Sequence, residues 1–392
     1  MFLRCFCGLK PENLLAMLTR LLPLLALTAA AAQSPPCNLN GAPLPGGACA
    51  CFPPWLGAQC GTLDVRPGAV AYGADASLWT WGGNVVLAAD GTHHLFVAEM
   101  EGHCTLAVWS FNSACVHAVS TTGPLGPYAR VGLAVPRFCH NPQVLALADG
   151  SFALFHIGDG ASSQPQQNCS SPARAPPAQR SGSGSGAGSS LHLAATLGSP
   201  WLPSATPPPS CNNPAPMRHA NGTLFLVCDS RALWRAPGIA GPWARVATWE
   251  PSGGPAGAYE DAFLWIDARG AWHMLFHVWS SDVQPQCTNA TVSAHAFSED
   301  GLTWHFSPSQ PYNTTVAFAS GRATEVSPTR ERPKLLFAAD GATPLFLLNG
   351  AVTGGESCLP KWCSHCKMLL KTYTLIVPLG DAGGRAAGLP GL

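Results

Sequence analysis

Five segments of this 392-residue chain repeat one design at one internal spacing. They are WGGNVVLAADGTHHLFVAEM from Trp81, HNPQVLALADGSFALFHIGD from His140, NNPAPMRHANGTLFLVCDSR from Asn212, EDAFLWIDARGAWHMLFHVW from Glu260 and ERPKLLFAADGATPLFLLNG from Glu331. Each opens on a short polar head. An apolar strand follows, then a turn ending in glycine, then a second apolar strand. The turn residues Asp90, Asn221, Asp149, Arg269 and Asp340 each stand nine positions after the first head residue. Asp-Gly and Asn-Gly favour tight hairpins because those positions accept positive φ. Any fold for this chain must therefore place five equivalent hairpins.

The heads are 59, 72, 48 and 71 residues apart. Outer strands recur as well: GPYARV at 126–131 matches GPWARV at 241–246, and SEDGLTW at 298–304 reads as a hairpin turn. A unit of about 50 residues with four strands is a propeller blade. Five units predict an all-β, five-bladed β-propeller over 63–380. The segment YTLIVPL at 373–379 is expected to close the ring by pairing near AVAYG at 69–73. A two-sheet sandwich would not repeat its head five times at a constant distance from the turn. The Pro/Gly/Ser-rich stretch 160–190 is an insertion expected to be disordered, as is the tail 381–392.

Charged residues make up 11% of the chain and balance to zero, which leaves no basic face for nucleic acid. Residues 1–32 combine Arg4, Lys10 and Arg20 with the run LLPLLALTAAAA and small residues at Ala30 and Ala32. This is the pattern of a secretory signal ending before Gln33. No later apolar run is long enough to span a bilayer. Fourteen cysteines follow residue 32, an even number that suits disulfides in an oxidising compartment. Asn168, Asn221, Asn289 and Asn313 head N-x-S/T sequons, as expected of a secreted glycoprotein.

Residues 37–61 read CNLNGAPLPGGACACFPPWLGAQCG. The Cys49-x-Cys51-x8-Cys60-Gly spacing, with Trp55 and Gly57, resembles the C-terminal half of an EGF-like module, placed at 33–62. Two of the six cysteines usual in such a module are missing, and those two are partners. The resemblance then implies the pairs Cys37–Cys49 and Cys51–Cys60. Such a module is either a protein-contact element or a rigid cap.

In a propeller the innermost strands line a central funnel, so the five heads converge. One column is Trp81, His140, Asn212, Glu260 and Glu331. The next is Gly82, Asn141, Asn213, Asp261 and Arg332. Strict strand alternation would send Glu260 and Asp261 to opposite faces. The heads and turns resemble the five-bladed propeller glycosidases of the glycoside hydrolase family 43, 32 and 68 clan. That resemblance implies carbohydrate chemistry in the funnel, with carboxyl groups flanking a glycosidic bond. It departs from the family where Asn141-Pro142 and Asn213-Pro214 stand in Asp-Pro positions. Asp261 keeps an acid there, and Glu331 matches the Glu-Gly-Pro position.

Asp261 is thus the expected base or nucleophile and Glu331 the expected acid, with Glu260 as alternate. His140, Asn141, Asn212, Asn213 and Arg332 are candidate sugar contacts, and Trp81 a candidate stacking platform. The partner expected is an extracellular glycan, either cleaved or, in a lectin-like, adhesion or matrix protein, only bound. No cofactor or metal is expected. Cys139 and Cys211 occupy one column in adjacent blades and are expected to bridge, so Cys139-His140 is not read as a metal motif. Cys358, Cys363 and Cys366 are read as disulfide-forming, with partners left open.

Overall fold

In a computed structural model, the described residues are 34–74, 78–102, 104–162, 165–167, 169, 188–206, 208–209, 212–229, 231–248, 258–279, 292–319, 325–326, 329–352 and 372–381. The signal-like segment, most of 160–190, Cys211, Asn168, Asn289, the cysteines at 358, 363 and 366, and the tail beyond 381 lie outside them. Pro36–Leu392 forms a single compact unit.

The fold is a five-bladed β-propeller. Each blade is a four-stranded antiparallel sheet, ordered from the axis outward. Blade one runs Thr80–Leu87, His93–Met100, Ser113–Ser120, Ala129–Val135. Blade two runs His140–Ala146, Phe152–Ile157, Ser189–Ala194, Leu202–Pro203. Blade three runs Ala215–Arg218, Leu224–Val227, Ala232–Ala236, Ala244–Thr248. Blade four runs Ala258–Ile266, Trp272–Trp279, Ser293–Ser298, His305–Phe306. Blade five takes Arg330–Phe337, Pro344–Val352 and Thr372–Pro378 from the end of the chain and Val70–Tyr72 from its beginning. Thr374, Leu375 and Ile376 pair with Tyr72, Ala71 and Val70, which closes the ring as expected.

Adjacent blades share apolar cores because their strands alternate sides. Phe96, Val135, Val144 and Leu154 join blades one and two. Met217, Val227, Leu264 and Phe276 join blades three and four. Val97, Val116, Phe346 and Ile376 close blade five on blade one. Each such side chain contributes about 1.5–3 kcal/mol on burial. Polar side chains also bind the next blade's inner strand. The Asn84 amide donates to the Val144 carbonyl and accepts from its N–H, and Gln143 donates to the Pro216 carbonyl.

Three blades carry a histidine pair between the second and third strands, buried in blades two and four and half-buried at His94 in blade one. His94 Nδ1 and His117 Nε2 are 2.8 Å apart in blade one. The corresponding separation is 3.0 Å for His156–His192 in blade two and for His273–His295 in blade four.

The N-terminal segment holds the disulfides Cys37–Cys49 and Cys51–Cys60. It is built into the propeller. Trp55, Leu63, Cys37 and Cys60 share a core with Phe263, Trp265, Leu275, Leu335 and Leu347 of blades four and five. Trp55 packs against His295 with ring centres 4.9 Å apart, and the Arg269 guanidinium lies 4.0 Å from the Phe52 ring centre. Asn38 donates to the Ser307 hydroxyl.

One disulfide expectation is overturned. Cys139 pairs with Cys115, not Cys211. The third strand of blade one begins beside Cys139, whose N–H donates to the Ser113 carbonyl. That contact brings Cys115 within a Cα separation of 5.3 Å. The bridge still joins two blades. A second one, Cys104–Cys169, links the loop after the second strand of blade one to the matching loop of blade two. Asn221, on the turn of blade three, and Asn313 are exposed. Among the described residues no helix is long and apolar enough to cross a membrane.

Candidate functional site

The five heads do converge, and they do so through an unusual backbone. Gly82, Asn141, Asn213, Asp261 and Arg332 all have positive φ, at 66°, 52°, 47°, 57° and 55°. Glycine, asparagine and aspartate tolerate this region best, and arginine is the exception in the set. Strand pairing skips at the same point in blades one, two, four and five: between Trp81 and Gly83, His140 and Gln143, Glu260 and Phe263, and Glu331 and Lys334. Prolines 142, 214 and 333 follow directly; proline has no N–H to give a ladder.

This irregularity removes the alternation that would have separated the acidic pair. Glu260 Oε1 lies 3.4 Å and Asp261 Oδ2 3.9 Å from the same atom, His277 Nδ1. Glu331 Oε1 lies 3.7 Å from His277 Nε2. One buried imidazole therefore stands among three carboxylates from two blades. Burial alone would lower the His277 pKa, but Glu331, the bond to Glu260 and Asp261 outweigh it and raise it. Burial pushes Asp261 up to about 6, against the pull of Arg332 and with help from Glu260.

The acids differ in access. The Asp261 side chain is 0% exposed, Glu331 9% and Glu260 28%. Asp261 Oδ1 lies 3.7 Å from Arg332 NH1 and 3.5 Å from the Asn141 amide nitrogen. Asp261, the expected base, is thus the deepest of the three, and the expected alternate is the most open. Arg332 lies across blade one: a Cβ on Gly82 would come within 2.8 Å of its Cδ, so this head needs glycine for space as well as for φ.

Asparagines continue the polar chain across the axis. Asn141 donates to Asn213 Oδ1 at 3.0 Å. Asn213 and Asn212 both donate to Asp229 Oδ2, at 2.9 and 2.8 Å. Burial, then Asp261 and Glu260, push the Asp229 pKa well up. Below this layer Lys334 is fully buried, and burial lowers its pKa to about 8. Its ammonium lies 5.8 Å from the Phe263 ring centre.

Two expected sugar contacts are placed elsewhere. Trp81 is 1% exposed and packs with Ala98, Met100 and Val352, so it offers no ring face to a ligand. His140 is equally buried, bonded to the Ser113 hydroxyl at 2.6 Å and covered by Trp109 at 4.7 Å. The partly exposed aromatic rings near these heads are Trp79 and Trp109.

His277 and Asp229 were not singled out from the sequence, yet hairpin arithmetic reaches Asp229 and comes within one residue of His277. Counting back from the turn at Arg269-Gly270 sets Glu260 opposite Val278, and the bulge between Glu260 and Phe263 moves it by one to His277. Counting from Asn221-Gly222, with Ala215 opposite Val227, carries Asn213 to Asp229. Sequence spacing showed no metal motif, whereas the fold gathers Glu260, Asp261, His277 and Glu331 with one ligand atom each within 4.8 Å of the others.

No protein-family model matches the chain, and no curated protein matches it in sequence. Solved structures match in fold. A protein of unknown function from Dyadobacter fermentans aligns over 81% of this chain and 100% of its own, at 12% identity and a TM-score of 0.50. Zg3597, a family 117 glycoside hydrolase from Zobellia galactanivorans, aligns over 81% and 91%, at 11% identity and 0.49. A GH43_1 enzyme from Xanthomonas citri aligns over 80% and 91%, at 12% and 0.48. At these identities the likeness is one of fold.

Proposed function

We propose that the funnel is a carbohydrate site of an extracellular protein and that its reachable carboxylates act on a glycosidic bond. The observation that carries this reading is the placement of Glu260, partly exposed, and Glu331, just beneath the surface, on either side of His277. Carboxyl groups about 5–5.5 Å apart suit attack by one and protonation by the other. Glu331 serves as the acid and Glu260 as the second carboxylate. Asp261 is too deep to touch a sugar and tunes the pair by its charge. Asn212, exposed beside Asp229, supplies an amide for a hydroxyl, and Trp79 and Trp109 supply apolar ring faces. The glycoside hydrolases among the fold neighbours support the substrate class. The signal-like N-terminus, the sequons and the disulfides support the compartment.

A second reading, glycan binding without turnover, is favoured by Asn141 and Asn213, which occupy two head positions with amides and are bonded within the site. A protein partner would meet the N-terminal segment on its outer side, where Leu44 and Leu56 are exposed. A glycan array and a panel of chromogenic glycosides, applied to wild type, Glu260→Gln and Glu331→Gln, decide between the two. Turnover lost in both variants supports hydrolysis. Binding with no turnover supports the second reading. Turnover untouched by either substitution removes the pair from the mechanism, and no binding at all ends the carbohydrate reading.

A further inference from the structure

We propose that Glu260, Asp261, His277 and Glu331 form a seat for one divalent cation of the zinc or manganese type. The four side chains come from three strands of two blades, and their ligand atoms lie within 4.8 Å of one another. Ligands bound at about 2.1 Å in a tetrahedron stand roughly 3.4 Å apart. The separations from His277 Nδ1 to Glu260 Oε1 and Asp261 Oδ2, 3.4 and 3.9 Å, are already near that figure.

A separate observation points to a ligand. Asp261 Oδ2 is fully buried, faces His277 and has no hydrogen-bond partner among the described residues. A buried carboxylate oxygen left without a partner is costly, and an ion at this point would satisfy it.

The donor set narrows the ion. Calcium and magnesium prefer all-oxygen shells, whereas one imidazole with carboxylates suits zinc or manganese. Glu260, partly exposed, gives the ion its way in. A carboxylate that binds the ion cannot also move a proton or attack carbon. The ion therefore opposes hydrolysis at this site, and its binding is measured with no glycan present. Failure of the cation seat leaves the carbohydrate reading standing, and the reverse holds too.

The test is titration of the metal-stripped full chain with Mn2+, read by the loss of free-ion electron paramagnetic resonance. Mn2+ is chosen because thiols outside the site do not hold it well. One equivalent should bind, Zn2+ should displace it, and equal Ca2+ should not. Glu260→Gln and His277→Gln should each weaken binding by about 10–100-fold. The melting temperature of the metal-free variants shows that they fold. Should His277→Gln fail to fold, Glu260→Gln, at the open edge, carries the test. No site tighter than about 1 mM, a range typical of weak cation modules, would overturn the proposal. So would one equivalent that binds both variants as well as wild type.

Discussion

The seam between blades one and two and the seam between blades four and five are built by different means. The first is covalent: Cys115–Cys139 and Cys104–Cys169 cross it, and its wall at the funnel is aromatic, with Trp109 against Phe138 and His140. The second has no disulfide across it among the described residues. It is filled instead by the N-terminal segment, whose Trp55 and Leu63 pack with Phe263, Leu275 and Leu347. The acids stand on this second side. Fixed loops are thus stapled where the site is neutral, and an apolar plug supports the strands where the site is charged. The N-terminal segment is part of the propeller's core rather than an appendage to it.

Acid should strain both seams, since burial holds His140, at the first, and His295, against Trp55 at the second, well below the usual imidazole range. Burial holds His117 down to about 4 and His156 down to about 3. Both lie below the unfolded value of 6.5, so the unfolded chain takes protons first. Stability from these residues is whole above pH 6.5, falls as pH drops through the window between 6.5 and the folded values, and then levels off. By pH 4.5 the two together should cost about 4 kcal/mol, less than full burial of both rings would give because solvent partly screens His117. Denaturant unfolding at pH 7 and 4.5 measures the loss, and His117→Gln with His156→Gln should flatten it. An unchanged slope in that double variant would assign acid sensitivity to the remaining buried histidines, His140, His273 and His295, or to the carboxylates.

Trp55→Ala attacks the second seam and should cost about 4 kcal/mol, as expected for a buried tryptophan. Replacing Cys115 and Cys139 together by alanine should cost about 3 kcal/mol. Thermal unfolding of the two variants side by side ranks the seams. If the disulfide proves the larger, the plug is secondary. The smallest effect belongs to the axis: Gly82→Ala should cost about 1 kcal/mol, since its φ of 66° and the Arg332 stem both oppose a Cβ. A neutral result there would mean that Arg332 yields freely.

Much of the fold was legible because it is written locally. The hairpins announce themselves through a glycine turn nine residues past each head, and closure through an unpaired apolar strand at the end. The site was legible in outline, since heads at one strand position must meet. The rest depends on facts that sequence alternation hides. A left-handed residue at Asp261 cancels the alternation that would have parted it from Glu260. His277 enters because a bulge shifts the register of its hairpin by one. Cys139 finds Cys115 because the third strand of blade one begins beside it, a meeting across blades that no column alignment shows. Trp81 and His140 share a column with Glu260 but are covered by loops and neighbouring strands particular to their own blades.

Five inner strands make the same left-handed step at the same place, yet the residues that make it are glycine, two asparagines, aspartate and arginine. The step is thus a socket whose shape is set by the backbone and whose occupant differs from blade to blade. Nothing, an amide, an acid or a base is mounted on the axis while the strand beneath stays alike, and only in blade one does the Arg332 stem hold the position to glycine. The charge at the centre of such a propeller is the variable and the scaffold the constant.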